Sequence, residues 1–197
     1  MGELRGSYRV HFVLAMVLCG LELLCMASTW LPGKYTVPAW LVMGLFGTVF
    51  PVFVVALFRG AGGARLMGGA NADRFARYVR VLPPALKLTY AVIICLAALG
   101  IATGANAAED AQADASGYYY TYWDRSVNPQ RNARVDLTEA EYYAALKAQR
   151  RIFTAGPALF YAASSFLVLA SASAAAAART QTTPEDSSGA ATPPRPS

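Results

Sequence analysis

The sequence predicts an all-α membrane protein, a four-transmembrane-helix bundle with a small hairpin-like element on the exterior and a helical extension of the fourth span. Apolar segments at 10–31, 38–58, 81–103 and 152–178 are each long enough to cross a hydrocarbon core about 30 Å thick. Because lipid offers the backbone no hydrogen-bond partners, each segment must form a helix. A polar segment, 105–151, separates the third span from the fourth, and residues 1–179 together form one transmembrane domain.

The basic residues are distributed unevenly among the polar segments. The loop between the second and third spans holds five arginines and one aspartate, and residues 1–9 hold two arginines and one glutamate. The positive-inside rule therefore predicts that both termini of this multi-pass protein face the cytoplasm, with the exterior segment 105–151 across the cell membrane. The net charge of +5 does not indicate nucleic-acid binding, because the bases do not cluster with aromatic residues on a solvated face.

The first span has two interpretations. Its polar residues recur on one helical face, which should point into the bundle. Arg5 and Arg9 before an apolar stretch also resemble a secretory signal, whose cleavage would leave three spans. Glu22 interrupts that apolar stretch and favours a retained span.

Glu22 is the strongest candidate for a functional residue within the membrane. It lies about twelve residues, roughly 18 Å, into its span, where an acid costs about 2.5 to 3.5 kcal/mol to insert. It either binds a proton or cation, or fixes helix packing as a neutral, hydrogen-bonded acid. Lys87 and Tyr90 complete the candidate ion or proton site, although Lys87 lies at a depth that favours snorkelling toward the cytoplasm. Further hydroxyl partners could come from Tyr161, Ser164 and Ser165.

The sequence of the second span predicts close packing against another helix, and the sequence of the loop after it predicts contacts with lipid. Gly44 and Gly47 are small enough to let a neighbouring helix approach closely. The end of the loop is predicted to form a short interfacial helix. Its basic side is expected to contact anionic lipid headgroups through Arg74, Arg77 and Arg80.

The exterior segment is rich in aromatic residues that favour strands. A run at 118–123 and a second at 134–137 predict a two-stranded hairpin whose aromatics lean on the next helix or on the membrane surface. These aromatics anchor the protein at the interface, or they recognise a partner protein, a cell-wall sugar or a lipid. The candidate partner surface consists of Tyr118, Tyr120, Tyr122, Trp123 and Asp124.

The last helix has a well-marked start. Thr138 and Glu141 fit the capping box, in which each side chain satisfies the other residue's backbone amide. No helix breaker follows before Gly156 and Pro157, so one helix should begin outside the membrane and continue through the fourth span, with a bend at Pro157. The residues 180–197 lack large apolar side chains and are expected to form a disordered cytoplasmic tail.

The residue inventory excludes many kinds of site. His11, expected at the membrane interface, is the only histidine, and sites built on several imidazoles, such as bis-histidine haem or zinc, need more. Cys19, Cys25 and Cys95 all lie inside predicted spans, so they read as packing residues without a disulfide framework. The sequence therefore predicts no cofactor, no metal and no enzymatic activity.

The exterior segment carries a weak pattern of residues, namely Tyr118 to Tyr120, Asp124, Val135, Leu137, Thr138, Ala140 to Tyr142, Arg151 and Phe153. With the four spans, this pattern resembles uncharacterised four-span integral membrane proteins of high-GC actinobacteria, a resemblance that implies bacterial origin and topology but no activity. An acid in the first of four spans is also similar to small multidrug transporters, which are much shorter and lack so long an exterior loop.

Two functions follow as hypotheses. The first is a non-enzymatic structural or accessory subunit whose exterior aromatics and basic cytoplasmic loop contact partners and lipid. Its partner is another protein or a second copy of the chain. The alternative is a proton-coupled small transporter or channel that uses Glu22.

Overall fold

The computed structural model describes residues 6–59, 79–80, 82–105, 110–124 and 131–181. Within these ranges the chain is mostly helical and contains a small sheet. The helices are α1 (Ser7–Ser28), α2 (Ala39–Arg59), α3 (Pro84–Ala105) and α4 (Glu139–Gln181), and the strands are β1 (Ala111–Asp114), β2 (Gly117–Asp124) and β3 (Arg131–Leu137). All four helices are long and apolar enough to cross a membrane.

The first three helices begin and end within three residues of the predicted spans. At its C-terminal end, α1 stops at Ser28 rather than at 31. The amides of Thr29, Trp30 and Leu31 bond carbonyls three residues back, so the helix tightens into a turn while the sequence is still apolar. An apolar segment therefore predicts which residues avoid water, but it does not predict the residue at which helical hydrogen bonding ends.

The capping box at the start of α4 is confirmed. The Thr138 amide donates to Glu141 Oε2 at 2.8 Å, and the Glu141 amide donates to Thr138 Oγ1 at 3.3 Å. From there α4 runs for 43 residues without interruption through Pro157. At 1.5 Å per residue this helix is about 65 Å long, roughly twice the thickness of a hydrocarbon core.

Helix α4 is the centre of the helical packing. It contacts each of α1, α2 and α3 extensively, whereas those three contact one another little or not at all. Most of the apolar stretch of α4 is accordingly buried, whereas about a third or less of each of the other three apolar stretches is buried. The end of the helices where α1 ends and α4 begins lies beside the sheet, and we call it the sheet end.

Helix α3 approaches α4 closely at two glycines. A methyl group on Gly104 would lie 2.8 Å from the Ala148 carbonyl oxygen of α4. One on Gly100 would lie 3.3 Å from the Ala155 Cβ atom of α4 and would also overlap Met26 Sδ of α1. The expectation of close approach at Gly44 and Gly47 was wrong, since both positions face open space. The spacing of Gly100 and Gly104, four residues apart, is the pattern that allows such contacts between helix backbones.

The segment predicted to form a two-stranded hairpin instead contains a three-stranded antiparallel sheet in the order β1-β2-β3. Strands β2 and β3 pair from Tyr118 with Leu137 to Asp124 with Arg131, as the aromatic run predicted. Strand β1, with the sequence Ala-Gln-Ala-Asp, has no residue type that favours strands, and its pairing with β2 stabilises it. This is why the sequence did not predict it.

Two predicted segments fall outside this description. Residues 60–78, which include Arg74 and Arg77 of the predicted interfacial helix, are not described, and neither are residues 182–197 of the predicted tail. Val79 and Arg80 are helical, and the Arg80 side chain is exposed.

Candidate functional site

One face of α1 is buried along its whole length, and Glu22 lies on it. The buried residues of this helix are His11, Ala15, Cys19, Glu22 and Met26, at spacings of three and four that place them on one side. Glu22 is fully buried, and neither carboxyl oxygen has a hydrogen-bond partner among the described residues. The His11 side chain is also buried, with its Nε2 atom unpartnered in this part of the chain.

The hydroxyl groups expected around Glu22 bond elsewhere. The Tyr161 hydroxyl lies 2.6 Å from Thr48 Oγ1 and donates to the Leu45 carbonyl at 2.7 Å. The Tyr90 hydroxyl lies 2.8 Å from Ser165 Oγ. These bonds join α4 to α2 and to α3, so the hydroxyls hold the helices together instead of serving the acid. The Ser164 hydroxyl bonds the carbonyl of Phe160 in its own helix.

Lys87 does not lie beside Glu22 either. Its side chain is exposed, and Nζ donates to the Arg80 carbonyl oxygen at 2.8 Å. The lysine therefore reaches toward the end of α3 that is away from the sheet, as its depth favoured. Of the three residues in the proposed intramembrane site, only Glu22 is fully buried, and the other two form hydrogen bonds to other groups.

An isolated buried acid has limited chemistry. A charged carboxylate buried without a partner is costly because nothing replaces its hydration. Cys19 and Met26 lie about one turn before and after Glu22 on the same buried face of α1, and the Cys19 thiol donates to the Ala158 carbonyl oxygen at 3.4 Å. The position therefore suits a protonated carboxyl, or a carboxylate that holds a bound cation.

The candidate partner surface is divided between the two faces of the sheet. Because side chains alternate along a strand, Tyr118, Tyr120 and Tyr122 share one face and Trp123 lies on the other. The Tyr118 ring stacks on the Tyr142 ring of α4 at 4.5 Å, which confirms that the aromatics lean on the following helix. Tyr122 and Trp123, at the far end of β2, are the exposed aromatic residues of this strand.

The opposite face of the sheet carries a charged network that the sequence reasoning missed. The Arg134 guanidinium donates to Asp114 Oδ2 at 2.8 Å and to Asp136 Oδ1 at 2.9 Å, and it lies 3.8 Å from the centre of the Tyr119 ring. Hydrogen bonds from Arg134 and Ser116 hold the pKa of Asp114 well below its usual value. The sequence signal that could have predicted this network is the alternation of Arg134 and Asp136 along β3.

A second group of charges lies at the sheet end of the helices, around a cavity of about 570 Å³. Lys147 of α4 donates to the carbonyl oxygens of Leu31 and Gly33, each at 2.7 Å. Arg151 donates to Thr29 Oγ1 at 2.9 Å. These bonds tie the start of α4 to the end of α1. No motif indicated this role, because the partners are carbonyl and hydroxyl oxygens more than a hundred residues away.

The rim of the same cavity holds an ion pair. Lys34 Nζ lies 2.6 Å from Glu139 Oε1, and this hydrogen bond raises the pKa of Lys34. Both side chains are exposed, so the pair contributes little to stability.

The described part of the chain offers no conventional metal centre. No group of three or more histidine, cysteine, aspartate or glutamate side chains in it could hold a metal ion. Cys19, Cys25 and Cys95 are free thiols. The chain matches no protein-family model, no curated protein and no solved structure.

Proposed function

We propose that this chain is a multi-pass protein of the cell membrane. Many large apolar side chains of the helices face outward, among them Leu24, Trp40, Phe50, Phe58 and Leu88, each more than 60% exposed. In water such a surface would be strongly unfavourable, whereas hydrocarbon solvates it. The charge distribution orients the protein with both termini in the cytoplasm, the sheet outside, and Arg74, Arg77 and Arg80 at anionic lipid headgroups.

Within the membrane we propose a non-enzymatic accessory role in which the exterior sheet binds a protein partner or a second copy of the chain. The observation that carries this proposal is the rigid attachment of the sheet. Tyr118 stacks on Tyr142, and β3 is followed after one residue by the capped start of α4. The exposed rings of Tyr122 and Trp123 are thereby held in a fixed position, which lowers the entropic cost of binding.

Crosslinking in native membranes tests this role. The variant Tyr122→Ala with Trp123→Ala should lose the crosslinked neighbour that the wild-type chain captures, because the two rings provide the contact area. Tyr35→Ala is the matched control, since Tyr35 is an exposed aromatic in the loop after α1. An unchanged crosslinking pattern in the double variant would contradict the sheet as the contact surface.

The buried acid supports a second candidate function, proton-coupled transport through Glu22. The supporting observation is that its two carboxyl oxygens are fully buried and unpartnered in the described residues, which leaves them able to take a proton or cation. In liposomes with an internal pH dye, a transporter should show uptake driven by a pH gradient, and Glu22→Gln should abolish it.

Tyr161→Phe is the control for that experiment, because it removes a buried hydroxyl that joins α4 to α2 while leaving the acid in place. If both variants lose flux equally, the loss reflects the packing of the helices. If Glu22→Gln changes only thermal stability, the accessory role is favoured.

A further inference from the structure

The cavity at the sheet end lies between the turn after α1 and the first turns of α4. Its volume is about 570 Å³, and its lining includes Trp30, Lys34, Glu139, Tyr143, Lys147 and Arg151. Lys147 is only 8% exposed, so its charge belongs to the interior of this region and not to its surface. The cavity is far larger than a water molecule's share of liquid volume, about 30 Å³, and has room for an organic ligand.

The charges around the cavity do not balance within the described residues. Lys34 is neutralised by Glu139 at the rim. Lys147 and Arg151 form no ion pair in this part of the chain, and their hydrogen bonds go to neutral oxygens of Thr29, Leu31 and Gly33. Two positive charges therefore remain.

The end of α1 compensates for only part of that charge. The terminal carbonyls of a helix act as about half a negative charge, and Lys147 and Arg151 are placed to interact with them. More than one positive charge is left over in a partly buried site, where an anion is bound more strongly than in open water.

The hydrogen-bond donors are not exhausted either. The Lys147 ammonium has three N–H groups and uses two for backbone carbonyls. The Arg151 guanidinium has five N–H groups, and its bonds to Thr29 leave Nη1 without a hydrogen-bond partner among the described residues. Such a pair of cations with spare donors is well suited to phosphate oxygens.

We propose that this cavity binds a phosphate-bearing anion, with Lys147 and Arg151 as its cationic ligands and Trp30 and Tyr143 in contact with the organic part. The phosphate could belong to the headgroup of an anionic phospholipid or to a soluble organic phosphate. The chemistry is the same in both cases. This site is separate from the partner surface at Tyr122 and Trp123, and it does not depend on the accessory role.

The test uses the full-length purified chain. One arm compares its thermal unfolding in nanodiscs of pure phosphatidylcholine with nanodiscs that contain phosphatidylglycerol. The other arm titrates glycerol 3-phosphate and inorganic phosphate into the phosphatidylcholine sample. A ligand that binds only the folded state raises the melting temperature as its concentration rises. Stabilisation in the first arm alone identifies a lipid headgroup, and saturable stabilisation in the second identifies a soluble phosphate.

Two variants and one control connect the effect to the cavity. Lys147→Gln and Arg151→Gln should each weaken binding tenfold or more, and Arg151→Gln removes a less buried side chain if Lys147→Gln does not fold. Lys87→Gln removes one positive charge at the other end of the helices and should bind as wild type does. The proposal is overturned if no phosphate compound stabilises the wild-type chain, or if Arg151→Gln responds as Lys87→Gln does.

Discussion

Glu22 shows how the buried face of a helix can be predicted from the sequence while the partners of a residue on that face cannot. The sequence located an acid on the inward face of the first helix, and the structure buries it there. The partners depended on how the helices are rotated about their axes, which no local pattern encodes. Tyr90 and Tyr161 turned out to bond other hydroxyl groups and a carbonyl.

Replacing Glu22 should stabilise the chain if the acid is truly without a partner. A buried polar group that makes no hydrogen bond costs about 1 to 3 kcal/mol, so Glu22→Met, which is similar in volume and apolar, should raise the melting temperature in detergent. Leu23→Met, at the next position, should change it little. A lower melting temperature for Glu22→Met would show that the carboxyl has a stabilising partner or a bound ion.

The Arg134 network gives the sheet a dependence on pH. Because the pKa of Asp114 in the folded state lies below its unfolded value, the stabilisation is complete above about pH 4 and is lost as the pH falls further. Amide protection factors of β1 should therefore decrease below about pH 4 in the wild-type chain. In Asp114→Asn they should be lower at neutral pH and nearly constant with pH.

Asp110→Asn is the control for that measurement, because Asp110 contacts Gln112 rather than an arginine. It should keep the wild-type dependence on pH. A wild-type sheet whose protection does not change between pH 7 and pH 3 would contradict the role assigned to Asp114 and Arg134.

At the scale of elements, the contact between α3 and α4 depends on Gly104. A methyl group there would meet the backbone oxygen of Ala148, which cannot rotate away, so Gly104→Ala should destabilise the fold by about 1 to 3 kcal/mol. Gly47→Ala, also inside a helix but facing open space, should be neutral or stabilising, because alanine favours a helix by about 1 kcal/mol over glycine. Thermal unfolding in detergent compares the two, and equal effects would contradict the close approach.

The elements themselves were predicted unequally. The capping box at Thr138 and the aromatic strand β2 were correct because their signals are local. Strand β1 and the position of the packing glycines were missed. Strand β1 depends on its pairing with β2, and the glycine contacts depend on the position of α4.

At the scale of the whole molecule, the proposed orientation can be measured directly. The test uses a variant in which the three native cysteines have been replaced. In that variant, Ser116→Cys in the turn between β1 and β2 should react with a membrane-impermeant maleimide on intact cells. Ser188→Cys near the C-terminus should react only after the cells are permeabilised. Labelling of both positions on intact cells would contradict cytoplasmic termini.

The sequence by itself determined the four apolar helices, the start of α4 and the aromatic strand, because hydrophobic length, capping and strand preference act between residues close in the chain. Only the tertiary structure decided that α4 is the central helix, that Glu22 is left without a hydrogen-bond partner in the described residues, and that Lys147 and Arg151 meet the end of α1 around a cavity. Those features depend on helix rotation and on contacts more than a hundred residues apart, and packing of the whole chain sets both.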